Sequence, residues 1–456
     1  MSKLETTADV SVIGLGRVGL PLALSFADRG LRVIGIDNDS ARLDAVRDGR
    51  MPFQETDAQE LLDRVHASGR LSLSERVADA ARARHIVITL GTPSFSHIEI
   101  DMRDIRSALD DLLGVLAPGH ALILRSTVAP GTTEFVAGYL AKHRGFQIGE
   151  DVFVAHVPER IAAGRFLEEI DTLPCIVGGV GAHSGEVAAE LFASFKAPIV
   201  QTTPVQAELA KIWANILRYT NFALPNLLMM DCERYAANVF DVIDLINRDY
   251  PRGGIALPGL TAGTCLRKDF AFSEERSHAP GMLLAVSRVN ESVPLFLVEG
   301  IERRLGSLSG RKVAVLGLAF KADTDDERDS LAHKLVRLLE RELADVAVHD
   351  PHVPTPTASF EQAIDAADAV VVAADHAEFR DPRTLAAIAE RAGDCLVVDP
   401  WNCWGAGQVF AYASELTALG PHGGAGSASS IARVPSTPRS LRPGPACPAN
   451  PGERKG

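Results

Sequence analysis

The segment Gly259-Leu-Thr-Ala-Gly263-Thr-Cys265-Leu-Arg-Lys268-Asp269 places a cysteine just after a glycine-containing turn, with basic residues close behind it. Cationic neighbours favour the thiolate, so Cys265 is a candidate low-pKa nucleophile. Most isolated cysteines are inert buried hydrophobes, and the segment alone leaves both readings open. In Ala207-Glu-Leu-Ala-Lys211-Ile-Trp-Ala-Asn215, Lys211 and Asn215 stand at i and i+4 on one helix face. They are poor core residues and good donors to an oxyanion, with a solvated stripe as the plain alternative. Upstream, Gly14-Leu-Gly16-Arg-Val18-Gly19 fits G-x-G-x-x-G and is followed by Asp37. The first glycine makes the tight turn, the second admits the pyrophosphate and the third lets helix pack on strand. Asp37 would accept from ribose hydroxyls and repel a 2′-phosphate, which favours NAD over NADP. Arg17, inside the loop, could equally hold a phosphate.

These residues need a scaffold that brings turns to one edge of a sheet. Short apolar runs at 10–13, 31–36, 85–90, 121–124 and 152–155 alternate with helical patterns, which implies a parallel, doubly wound sheet. The plan recurs at 312–316, 345–350, 370–373 and 396–399, with Gly317-Leu-Ala-Phe320-Lys321 at the equivalent turn. The glycine spacing is lost there, but a lysine at a helix N-terminus still suits a phosphate. Between the halves, 204–235 reads as one long helix with apolar residues on most sides, among them Leu209, Ile212, Trp213, Leu217, Leu224 and Leu227. A helix apolar all round must be covered, either by a second subunit or within its own domain. Pro225 is expected to kink it.

The fold class expected is therefore α/β, with two Rossmann-like doubly wound domains joined by a long central helix in a helical dimerisation domain. The boundaries expected are 1–203 for the dinucleotide domain, 204–303 for the central helical domain, 304–416 for the second Rossmann-like domain and 417–456 for a disordered tail. From Pro421 onward the chain holds seven Pro, six Gly and five Ser with few large apolar residues.

Composition narrows the function classes. Of 456 residues, 46 are Lys or Arg and 59 are Asp or Glu, a net charge of −13 that excludes a general basic surface for nucleic acid. No apolar run approaches the ~20 residues needed to span a bilayer. No apolar segment precedes the first strand, so neither membrane insertion nor secretion is expected. Six scattered cysteines without a C-x-x-C pair suggest neither a disulfide framework nor a metal site, and a reducing cytoplasm is the compartment expected.

The segments together resemble the UDP-glucose/GDP-mannose dehydrogenase family, in order, over residues ~10 to 405. The resemblance rests on Gly14, Gly16 and Gly19 with Asp37; Gly91-Thr92-Pro93; Ser126-Thr127-Val-Ala-Pro-Gly-Thr-Thr133; Pro158-Glu159-Arg-Ile; Ala207-Glu-Leu-x-Lys211-x-x-x-Asn215; Gly263-Thr-Cys265-x-x-Lys268-Asp269; and Gly317-Leu-Ala-Phe320-Lys321-x-x-Thr-Asp-Asp-x-Arg328-x-Ser330. It implies a four-electron oxidation of a sugar C6 alcohol to a carboxylate with two NAD in succession. Cys265 would hold the aldehyde as a thiohemiacetal and then the acid as a thioester. Lys211 and Asn215 would stabilise oxyanions, Asp269 would position Lys211 or a water, and Thr127 and Glu159 would hold and activate water. The cofactor would meet Gly14, Gly16, Val18, Gly19, Asp37, Thr92, Pro93, Ser126, Thr127 and Arg328. The nucleotide sugar would meet Glu159, Lys211, Asn215, Gly263, Cys265, Phe320 and Lys321, with Arg252 or Arg248 reaching it from a neighbouring subunit, so at least a homodimer is implied.

The sugar signals diverge. Many family members carry a second acid where this chain has Ala163, although Gly164 is kept. Lys268 before Asp269 is glucose-type, whereas Arg218-Tyr-x-x-Phe222-Ala-x-x-Asn226 resembles the N-acetylhexosamine branch. UDP-glucose or TDP-glucose is the first substrate expected, with UDP-N-acetylmannosamine or UDP-N-acetylglucosamine as the alternative. Two other readings are a two-electron hydroxyacid dehydrogenase and, from a different class, a catalytically silent nucleotide-sugar binder.

Overall fold

The computed structural model describes residues 4, 6–92, 103–260, 263–274, 281–405 and 408–418. Strands β1 (Ala8–Ile13), β2 (Val33–Ile36), β3 (Leu71–Ser74), β4 (Ala83–Ile88), β5 (Ala121–Leu124), β6 (Phe153–His156), β7 (Cys175–Gly179) and β8 (Ile199–Thr202) form one sheet in the order β3-β2-β1-β4-β5-β6-β7-β8. All its pairs are parallel except β6 with β7. The short all-apolar strands are buried on both faces, as a sheet clad in helices requires. A second sheet, β9 (Lys312–Leu316), β10 (Asp345–His349), β11 (Ala369–Val372), β12 (Leu396–Val398) and β13 (Phe410–Tyr412), runs β10-β9-β11-β12-β13 and is parallel except for its last pair. In both sheets the strand order reverses at the first strand, which opens a crevice at the carboxyl edge where ligands of such folds bind.

The central helix, Pro204–Arg234, opens with a capping box between Thr203 and Gln206 and with proline at its first turn. It runs unbroken through the buried Pro225. Burial along it is one-sided, so the chain itself does not cover all of its apolar surface. Ile212, Ile216, Tyr219 and Met229 are buried, while Trp213 and Leu217 stay 52% and 61% exposed. Leu224 and Leu227 are exposed too. The last described helix, Ala413–Ala418, runs into the span expected to be tail; the rest of that span, from 419, lies outside the described residues. Among the described residues no helix is long and apolar enough to cross a membrane.

His156 closes β6 fully buried, and neither ring nitrogen makes a hydrogen bond. Burial pushes its pKa down to about 3; the nearby Leu124 carbonyl opposes the shift without reaching hydrogen-bond geometry, and Arg125 and Lys211 reinforce it. The unfolded chain therefore takes up a proton below pH ~6.5 that the folded chain refuses. Stability is expected to fall with acidification through that window, by about 1.4 kcal/mol per pH unit from this group alone. Urea titrations of wild type and His156→Leu between pH 7.5 and 5 test this: the variant's slope against pH should be shallower, and equal slopes would refute it.

Candidate active site

The turn after β1 has the geometry that its glycines suggest. Gly14 adopts a φ of 94° and donates its N–H to the Ile36 carbonyl at 2.7 Å. A Cβ at Gly19 would lie 1.8 Å from the Gly14 oxygen, so helix Gly19–Asp28 can start only with glycine there. A Cβ at Gly16 would meet nothing within 4 Å, which leaves its backbone approachable by a pyrophosphate. A cavity of about 560 Å³ opens beside the turn, lined by Gly14, Asp37, Asn38, Arg76 and Leu90 among others. The Asp37 carboxylate takes the Leu15 N–H at 2.6 Å and Arg42 Nη1 at 2.8 Å on Oδ2, and the Asp39 N–H at 2.9 Å on Oδ1. With about four acceptor positions on a carboxylate, one remains on Oδ1 for a ribose hydroxyl. These residues fit the adenosine half of NAD. Arg17 does not remain available for a phosphate: it is paired with Asp325 at 2.6 Å and with Asp326 at 3.3 Å.

The second sheet repeats the turn. Gly317 has a φ of 98° and donates to the His349 carbonyl at 2.8 Å. Asp350, the counterpart of Asp37, takes the Leu318, Ala319, His352 and Val353 N–H groups and His376 Nε2. Its pKa is held far below the ordinary carboxylate range by those donors, in spite of burial. Phe320 lies against Gly263, whose Cβ would sit 2.7 Å from the ring, and Lys321 Nζ donates to the Ala163 carbonyl of the first domain.

Between the two turns lies the reacting cluster. Cys265 is in the first turn of the short helix Thr264–Asp269, behind Gly263 with a φ of 98°. Its side chain is reached by solvent yet crowded by protein. The low-pKa thiolate expected from its cationic neighbours is not found. Desolvation, followed by the Asp269 carboxylate, pushes the thiol up, and Lys211, Lys268 and Arg328 only partly offset this. Asn215 Nδ2 donates to Asp269 Oδ2 at 2.6 Å, which joins the central helix to the cysteine helix. Asp269 Oδ1 faces Lys268 Nζ at 3.2 Å, an ion pair whose angles make no hydrogen bond. Lys268 Nζ also donates to Thr92 Oγ1 at 3.0 Å, and Thr92 Oγ1 donates to the Thr127 carbonyl at 2.8 Å. Ser126 Oγ is engaged by the Leu90 carbonyl at 2.6 Å. Val18 caps the dinucleotide helix, whereas Pro93 lies outside the described residues.

Two residues do not join the cluster as expected. Glu159 is buried with both oxygens engaged, Oε2 by Arg125 Nη2 at 2.5 Å and Oε1 by the Ile161 N–H at 2.7 Å. A carboxylate so held orders its own turn. Arg252 is exposed and stacks over Tyr250 at 5.6 Å. Nothing in one chain brings it to Cys265, and Arg248 likewise pairs locally with Asp244.

Three models of the UDP-glucose/GDP-mannose dehydrogenase family match: the NAD binding domain over 8–196, the central domain over 205–292 and the UDP binding domain over 314–406. A UDP-N-acetyl-D-mannosamine dehydrogenase from Pyrococcus horikoshii is 34% identical over 81% of this chain and 90% of its own length. The chain belongs to the UDP-glucose/GDP-mannose dehydrogenase family. Its first sheet is the family's NAD-binding domain, and its second is the UDP-binding domain that indicates a nucleotide-sugar substrate. The solved P. horikoshii structure superimposes with a TM-score of 0.81 over 87% of this chain and 96% of its own. An NDP-N-acetyl-D-galactosaminuronic acid dehydrogenase from Ralstonia solanacearum is 30% identical over 88% and 97%. A UDP-glucose dehydrogenase structure from Pyrobaculum islandicum is also 30% identical, with a TM-score of 0.75 over 88% and 95%.

Three supporting residues have structural roles that were not assigned from sequence. Lys268 is the buried ammonium that links Thr92 to Asp269. Arg125 is the buried cation that holds Glu159. Glu208, three residues before Lys211, takes the N–H groups of Gly131 and Thr133 and the Thr133 hydroxyl, and so ties the 126–133 loop to the central helix. Its place in the Ala207-to-Asn215 motif was the available signal.

Proposed function

We propose that this chain oxidises the C6 hydroxyl of a UDP-N-acetylhexosamine, of the N-acetylmannosamine or N-acetylgalactosamine class, to the uronate in two NAD-dependent steps. The observation that carries the reaction is the Cys265, Lys211, Asn215 and Asp269 cluster between two nucleotide turns. The sugar rests on the P. horikoshii and Ralstonia relatives and on the Arg218-to-Asn226 pattern, which favour the N-acetylated alternative over the glucose substrate expected first. NAD, held by the Gly14–Gly19 turn and Asp37, would supply the hydride acceptor for each oxidation. Cys265 Sγ adds to the C6 aldehyde and retains it. Lys211 and Asn215 stabilise negative charge on the C6 oxygen, first as alkoxide and then at the tetrahedral stages. Asp269 Oδ1, which faces Lys268 Nζ but receives no hydrogen bond, holds the water that cleaves the thioester, a role shared with Thr127.

UDP-glucose remains the second reading, favoured by Lys268 and by the Pyrobaculum relative. The test is the NADH yield at completion on UDP-N-acetylmannosamine, UDP-N-acetylglucosamine, UDP-N-acetylgalactosamine, UDP-glucose and TDP-glucose. Two NADH per sugar on an N-acetylated substrate supports the proposal, and two on a glucose substrate selects the second reading. Binding without NADH would leave a silent binder, consistent with Ala163.

We also infer that a second copy covers the exposed face of the central helix, where Trp213, Leu217, Leu224 and Leu227 stand, and that Arg252 is then offered to the neighbouring site. Leu217→Arg is expected to sediment as a monomer with little activity. A wild-type chain that is itself monomeric at micromolar concentration would refute the inference.

A further inference from the structure

Arg17 departs from what a dinucleotide loop requires: it is a long cation at a position where only backbone approach is needed, and it points away to the other domain. Its Nη1 lies 2.6 Å from Asp325 Oδ1 and its Nε 3.3 Å from Asp326 Oδ2, with its guanidinium 5.1 Å from the Phe53 ring centroid. Both acids are largely buried, 12% and 6% exposed at the side chain. The Gln54 N–H donates to Asp325 Oδ2 at 2.9 Å, so the first domain engages this acid from two segments. Asp326 passes the connection on. Its carboxylate receives Arg328 Nε at 2.8 Å and Nη2 at 2.7 Å, and its carbonyl receives the Phe320 N–H at 3.0 Å. Arg328 and Cys265 in turn lie close enough to influence each other's charge. The loop that would hold the cofactor pyrophosphate is thus joined, through one arginine and two adjacent acids, to the turn that would hold the substrate nucleotide.

We propose that Arg17 is a positioning residue that couples the two nucleotide sites. It fixes Asp325 and Asp326, and with them Phe320 and Arg328, in the register set by the dinucleotide turn, so that filling either site favours filling the other. The inference rests on the nucleotide-sugar dehydrogenase reading. Asp326 keeps Arg328 when Arg17 is lost, but the largely buried Asp325 is then left beside it with no cation, which disfavours the closed register. Each site would then be ordered separately by its own ligand.

The experiment is fluorescence titration of the full chain with NADH, alone and with saturating UDP. In the wild type, UDP is expected to tighten NADH binding by about fivefold or more, the scale of ordinary coupling between sites, and NADH to tighten UDP binding by the same factor. Asp325→Asn lies off the dinucleotide loop and is expected to leave NADH affinity without UDP essentially unchanged while the coupling collapses towards onefold. Arg17→Ala should lose the coupling as well, and Arg17→Lys should restore part of it, which a purely structural defect would not do. Full coupling in Asp325→Asn and Arg17→Ala, or none in the wild type when both ligands bind, overturns this inference alone. Failure of the wild type to bind NADH at all overturns the dehydrogenase reading and the inference with it.

Discussion

A Cys265→Ser variant is expected to lose uronate formation by on the order of 10³-fold or more, the scale on which removal of a covalent nucleophile is felt. It should release no more than one NADH per sugar. A serine hydroxyl has the size of the thiol, but it is far less readily ionised and is a poorer leaving group. Neither capture of the aldehyde nor hydrolysis of the acyl stage then proceeds at a useful rate. Because desolvation and Asp269 keep the Cys265 thiol protonated around neutrality, wild-type turnover should also climb with pH above 7 as the thiolate fraction grows. That climb should be missing from the residual activity of the serine variant. NADH absorbance with mass analysis of the sugar product measures both. Two NADH per sugar from Cys265→Ser would remove the cysteine from the mechanism.

Lys211→Ala is expected to lower kcat by about 10²–10³-fold, equivalent to about 2.7–4 kcal/mol, with a much smaller change in KM for the sugar. The ammonium stands on the central helix within electrostatic reach of Cys265 and His156, and none of the ion pairs among the described residues includes it. It is therefore available to an oxyanion that exists only as the reaction proceeds, and that is the reason for expecting the loss in kcat. Asp269→Asn should also be slow, because it removes the carboxylate charge that faces Lys268 and that would hold the hydrolytic water. The double variant should lose less than the product of the two single losses, since the groups act on one reacting centre. Steady-state kinetics on the preferred sugar decide it; a kcat for Lys211→Ala within tenfold of wild type would refute the role.

The sheets, their twin turns and the long helix were legible because each rests on local chemistry: apolar strand runs, glycines at fixed offsets, and a capping box at Thr203. The cluster residues were named through the resemblance of their motifs to a known family, since the segments around Cys265 and Lys211 alone left plain alternatives open. What was not legible depends on neighbours distant in the chain. Arg17 meets Asp325 across 308 positions, and its partner decides whether it serves a phosphate or a domain contact. Glu159 is withdrawn from the cluster by Arg125, which reaches it from the end of the adjacent strand β5. Basic residues around Cys265 suggested a low pKa, but the sequence carries no measure of desolvation, which outweighs them. An apolar stripe likewise does not say whether its cover comes from the same chain, and on the central helix one side is left to something else.

The repeated turn raises a problem of cross-occupancy that the two aspartates resolve. Twin cradles that share the first glycine and its backbone bond would compete for any ligand carrying a ribose. Asp350 receives five donors on about four acceptor positions, whereas Asp37 receives three. A hydroxyl arriving at the second cradle finds no acceptor there, and its ligand must be read by other groups such as Phe320 and Lys321. The two turns thus differ at their carboxylates: the first keeps an acceptor position open and the second is saturated by its own chain.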